Sequence, residues 1–253
     1  MPEPLLRIEG ISKRFGGLLA VDQASFAAPA GRITALIGPN GAGKTTLFAI
    51  IAGFLRPTEG RVLYDGVDVT GLPPHRLARR GIARTFQIVQ PFAGLTVREN
   101  IAVGAHLHHA SRGEALAAAA AVARAVDLDG QLDKPAAALT VAGRKRLELA
   151  RALAIEPRLL LLDEVLAGLN PSEVRDMVPV MRAIVAGGVT IVLIEHVMQA
   201  VMSLAEHVYV LAEGRVIADG TPQAIAADPR VVEAYLGRGA AKRLAGEGAH
   251  VGP

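Results

Sequence analysis

Gly38, Pro39, Asn40, Gly41, Ala42, Gly43, Lys44, Thr45 and Thr46 fit the pattern G-x-x-x-x-G-K-[ST]. Glycines let a backbone turn tightly and aim consecutive N–H groups at one point. A helix N-terminus directly behind them adds a partial positive charge. Such a cradle suits phosphate oxygens. Lys44 adds a point charge for the outer phosphates, and the Thr45 hydroxyl can join a magnesium shell. A second chemical pair stands at Asp163 and Glu164, closing the run Leu159-Leu160-Leu161-Leu162. An all-apolar run of that length predicts a strand buried on both faces. Carboxylates at its C-terminal end lie where open α/β sheets bind ligands. Asp163 suits a magnesium ion on a nucleotide, and Glu164 suits polarising a water. Gln87 and His196 likewise close apolar stretches. Phe15, beside Gly16 and Gly17, is either a small core plug or a face for a base to stack on.

Composition bounds the alternatives. The 253 residues are 51% hydrophobic, without Cys or Trp, at a net charge of +3. No disulfide framework or Cys-based metal site exists, and a reducing setting is expected. Much of the charge falls on Arg238, Lys242 and Arg243 in the tail, and no basic stripe is interleaved with aromatics. Nucleic acid is therefore not the expected partner. No stretch reaches the roughly 18 apolar residues of a membrane span, so any membrane role is expected to come through a partner. His106, His108 and His109 cluster without a carboxylate at ligand spacing, and read as a solvated helix end.

The positioning elements follow from pattern. Residues 32–37 and 189–194 predict buried strands, with an edge strand at 5–9, a strand at 21–27 and one at 82–87. An Asp65-Gly66 hairpin spans 60–69, and a second hairpin spans 208–220. Helices are expected at 45–52, 74–80, 96–103, 114–126, 144–155, 172–185, 222–227 and 230–236. Before the fifth of these, Leu139-Thr140-Val141-Ala142-Gly143 reads as a small-residue loop running into a helix. Residues 237–253 are rich in Gly and Ala, and disorder is expected there.

Taken jointly, these residues resemble the ATP-binding cassette subunits of ABC transporters over residues 4–237. Residues 38–46 look like the Walker A loop, and 159–164 like Walker B with its glutamate. Gln87 matches the Q-loop glutamine and His196 the switch histidine. Phe15 falls where the family places its adenine-stacking aromatic. Two stretches depart. Leu139-Thr140-Val141-Ala142-Gly143 stands for Leu-Ser-Gly-Gly-Gln, and Asn170 stands for an aspartate. Arg84-Thr85-Phe86-Gln87, Ile194-Glu195-His196 and Val232-Glu233-Ala234-Tyr235-Leu236-Gly237 resemble the larger cassette subunit of branched-chain amino acid importers.

The resemblance implies an α/β fold: a P-loop NTPase core with a mostly parallel sheet, an N-terminal antiparallel β layer and a helical subdomain. Core residues would be 4–90 and 157–237, the helical subdomain 91–156, and 238–253 a disordered tail. It implies ATP as substrate and Mg2+ held by Thr45, Gln87 and Asp163. Catalytic roles fall to Lys44, Gln87, Glu164 and His196. In trans, Thr140, Ala142 and Gly143 would face a second cassette's ATP. Permease subunits would dock between Ile88 and Pro91, with a solute-binding protein engaged indirectly, at the cytoplasmic face of the inner membrane. Two other readings remain: a soluble cassette ATPase working on nucleic acid or ribosomes, and a regulatory half of a heterodimeric pair.

Overall fold

The computed structural model describes residues 4–85 and 90–236. Two sheets share the core. The first is antiparallel, in the order β2-β1-β4-β5, from β1 (Leu6–Phe15), β2 (Leu18–Ala28), β4 (Glu59–Tyr64) and β5 (Val67–Asp68). The predicted edge strand at 5–9 is instead twice as long and central. It pairs with β2 on one side and β4 on the other, through several register shifts. Phe15 ends this strand opposite Leu18, so Gly16-Gly17 is the hairpin turn. Asp65 and Gly66 both have positive φ, at 52° and 75°, the geometry a two-residue hairpin turn requires.

The second sheet has the order β10-β9-β3-β8-β7-β6. It comprises β3 (Ile33–Ile37), β6 (Ile82–Arg84), β7 (Leu159–Asp163), β8 (Thr190–Ile194), β9 (His207–Ala212) and β10 (Arg215–Gly220). All pairs are parallel except β9 with β10. Every residue of β3, β7 and β8 is buried. Continuous apolar runs fit this, because helices and the first sheet cover both faces.

Helix α1 (Lys44–Ile51) packs into the apolar cluster shared with the antiparallel sheet, and α2 (Pro74–Ala78) precedes β6. Between β6 and β7 come α3 (Val97–Ala105), α4 (Arg112–Ala125) and α5 (Val141–Leu153). Thr96 with Glu99 and Ser111 with Glu114 form capping boxes at α3 and α4. Helix α6 (Pro171–Ala186) follows β7 and α7 (Met198–Leu204) follows β8. Helices α8 (Pro222–Ala227) and α9 (Pro229–Leu236) close the described chain. No periodic signal announced α7. The histidine cluster ends α3, where His108 Nε2 bonds Ile155 O at 3.1 Å and His109 Nε2 bonds Glu156 at 3.3 Å. Among the described residues no helix is long and apolar enough to cross a membrane.

Candidate nucleotide site

The site is built by register. Leu36 lies opposite Ile194, and Ile194 opposite Asp163, across adjacent parallel strands. The chain leaves β7 and β8 one residue further on, and β3 two residues further on, after Ile37. Gly38, Glu164 and the pair Glu195-His196 therefore emerge side by side. Gly38, Glu164 and His196 face a cleft of about 940 Å³ lined by residues 38–46 with Phe15, Leu18, Ala20, Glu164, His196 and Tyr235, while Glu195 points into the interior.

Two glycines make the phosphate loop sterically necessary. Gly38 has φ +150°, and a Cβ on it would stand 1.9 Å from Leu211 O. Gly43 has φ +101°, and its Cβ would stand 2.4 Å from Ala20 O. No other residue type fits either place. Ala42 N–H closes the turn onto Pro39 O at 3.2 Å, while Asn40 and Gly41 are exposed at its tip. Lys44 Nζ folds over the loop, donating to Gly38 O at 2.7 Å and Pro39 O at 3.0 Å. Burial lowers the Lys44 pKa, and the charges of Glu164 and Asp163 work against that shift. Thr45 is exposed and Thr46 half-buried in the first turn of α1.

Asp163 is 1% exposed, and its Oδ2 accepts from Arg84 Nη2 at 2.8 Å. Its backbone N–H donates to Thr85 Oγ1 at 3.2 Å. Glu164 turns the chain with φ +50°, a conformation that costs a non-glycine residue about 1–2 kcal/mol. Strain of this kind collects at functional sites. His196 Nδ1 stands 3.9 Å from Glu164 Oε1 and is open to solvent. Phe15 is 45% exposed, with Lys13 Nζ 5.1 Å from its ring centre. Gln87 lies outside the described residues, as do Ile88 and the tail 238–253.

The stretch 139–143 differs from expectation. The loop ends at Thr140, which caps α5 by accepting Gly143 N–H at 3.1 Å. Val141, Ala142 and Gly143 already form the first helical turn. Ala142 lacks positive φ, so its backbone does not call for the glycine it replaces. These residues do not line the cleft of their own chain. Asn170 caps α6, its Oδ1 accepting from Ser172 N at 2.9 Å and Glu173 N at 3.0 Å. An aspartate would make the same bonds.

Several contacts of the site carried no sequence signal. Arg84 grips Asp163, and Tyr235 reaches the loop from α9, with a hydrogen bond to the Gly38 backbone. Lys145, buried in α5, donates to Glu164 O at 3.1 Å. Each contact spans elements distant in sequence, which periodicity does not register.

The sequence profile of the ABC transporter family matches residues 21–167. A profile described as branched-chain amino acid ATP-binding cassette transporter matches residues 215–241. The chain is 40% identical to the high-affinity branched-chain amino acid transport ATP-binding protein BraF of Pseudomonas aeruginosa, across 94% of this chain and 99% of that protein. It is 38% identical to LivG of Escherichia coli, which carries the same description, over the same shares. Among solved structures, an ATP-binding cassette of an ABC transporter in its ADP conformation superposes with a TM-score of 0.85. That cassette is 34% identical, over 93% of this chain and 99% of its own. With fold, strand-end site and sequence in agreement, the chain belongs to the ATP-binding cassette subunits of the ABC transporter family.

Proposed function

We propose that this chain powers an importer of branched-chain amino acids or related small solutes by hydrolysing ATP between two cassettes. The observation that carries the reading is the adjacent C-terminal ends of β3, β7 and β8, beside which residues 38–46, Glu164 and His196 line one cleft. Its support for the solute is the kinship with BraF and LivG.

Phe15 stacks on adenine. Lys44 and the loop amides hold the phosphates, and His196 contacts the γ-phosphate. Glu164 takes a proton from the attacking water as the oxygen–phosphorus bond forms and the bond to ADP breaks. Catalysis is then mainly positioning and charge stabilisation. The donors fit magnesium: the Thr45 hydroxyl, the Asp163 carboxylate and the Gln87 amide are all oxygen ligands, and magnesium on nucleotides needs few from the protein. When bound, the ion neutralises charge on the phosphates. Thr140, Ala142 and Gly143 of a second cassette complete the site in trans, with residues 91–156 as the arm presenting them.

Permease subunits dock beside residues 88–91, where Arg151 binds Gln90 O at 3.1 Å and covers the Phe92 ring. A cavity of about 250 Å³ adjoins, lined in part by Phe54, Arg84, Val103 and Arg151. The chain would thus be peripheral, at the cytoplasmic face of the inner membrane, with a solute-binding protein engaged indirectly. Glu164→Gln should still bind ATP while turnover falls about 100-fold or more. Undiminished turnover overturns the reading. Reconstitution with the permeases in vesicles, with solute-stimulated ATPase as readout, tests the transport step.

A further inference from the structure

The mechanism above leaves the buried carboxyl of Glu195 unused. Glu195 follows β8 and is 1% exposed. Its Oε1 accepts the Leu166 N–H at 2.9 Å. Its Oε2 is buried without a partner among the described residues. Holding a polar group there is costly unless it does something an apolar side chain would not. What it does is bind the turn that follows β7.

That turn carries Glu164 and is tied from several sides. Glu164 N–H donates to Ile194 O at 3.0 Å, the residue just before Glu195. Lys145 Nζ holds the Glu164 carbonyl at 3.1 Å, and Ala167 N–H closes onto the same carbonyl at 3.1 Å. Glu164 sits at φ +50°, a strained conformation that persists only when its surroundings enforce it. Glu195 ties this turn from a buried side chain of the neighbouring strand end, beside the exposed His196, whose Nδ1 stands 3.9 Å from Glu164 Oε1.

We propose that Glu195 is a positioning residue for hydrolysis: its carboxyl, by holding Leu166 N–H, fixes the turn that presents Glu164 to the cleft. The proposal rests on the reading of Glu164 as the group that activates water. Burial pushes the Glu195 carboxyl up, with Glu164 adding to the shift and His196 opposing it. Glutamine is thus a close mimic of the neutral acid and keeps the accepting oxygen. Methionine keeps the volume, tolerates burial and leaves Leu166 N–H unpaired.

The test measures kcat and KM for ATP in the full chain carrying Glu195→Gln, Glu195→Met, Glu164→Gln and the double Glu195→Met/Glu164→Gln. Glu195→Gln should stay within about twofold of wild type. Glu195→Met should lose kcat about tenfold with KM unchanged, because misplacement of a reacting group costs rate rather than ground-state binding. On Glu164→Gln, Glu195→Met should add nothing further, since residues acting through one another are not additive. Wild-type kcat in Glu195→Met, an equal loss in Glu195→Gln, or full additivity in the double variant overturns the inference while leaving Glu164 in place. Wild-type turnover in Glu164→Gln alone instead overturns the proposed function, and the route through Glu164 with it.

Discussion

Arg84 Nη2 stands 2.8 Å from Asp163 Oδ2, with side-chain exposures of 10% and 2%. A buried pair of this kind adds little over apolar packing, but removing one partner leaves a charge stranded. Arg84→Ala should therefore destabilise the chain by about 3 kcal/mol, read from denaturant unfolding. The double change Arg84→Ala/Asp163→Asn should recover part of that loss.

Gly38→Ala places a Cβ 1.9 Å from Leu211 O. Backbone atoms cannot step aside as a flexible side chain would. The expected cost is about 2–3 kcal/mol, with loss of ATP binding by calorimetry. Retained ATP affinity would show that the loop relaxes freely.

The two capping residues in the departing stretches should behave as caps. Thr140→Ala and Asn170→Ala should each cost about 1 kcal/mol. Thr140→Ser and Asn170→Asp should be close to neutral in stability, since both keep the accepting oxygen.

Phe15→Ala should weaken ATP binding about tenfold or more, because base stacking on an aromatic is worth about 1–3 kcal/mol. Phe15→Tyr should bind as wild type. Equal affinity in all three would assign Phe15 to the hairpin alone.

Stability should carry a pH signature of Glu195. Its folded pKa lies above the ordinary 4.5, so the folded chain holds a proton that the unfolded chain releases. Stability then falls as pH rises from about 4.5 towards the raised value, the sign opposite to that of a salt-bridged carboxylate. Glu195→Gln should flatten this part of the profile in pH-dependent unfolding.

The parallel sheet was legible because full burial on two faces leaves an unbroken apolar run, as in Leu159–Asp163. The strand-end residues Asp163, Glu164 and His196 were legible for the same reason: a polar residue ending such a run has few structural uses. The length of β1 was not. Its Gly10, Ser12 and register shifts break the alternation that period-two reading requires. Arg84, Lys145, Glu195 and Tyr235 acquire partners only on folding, so their types alone did not mark them. At residues 139–143 the loop was read too long, because small residues suit a turn and a first helical turn equally; the cap at Thr140 decides between them.

The level at which Gly38, Glu164 and His196 leave the sheet is stored in backbone ladders, which Glu195 and Lys145 only trim at the turn after β7. Exchanges among Leu, Ile and Val within β3, β7 and β8 can drift without moving the site, provided volume is kept. A one-residue insertion in any of the three strands would instead slide an exit by one step and turn its side chain to the opposite face. The molecule is thus permissive to changes of composition in its centre and intolerant of changes in length there.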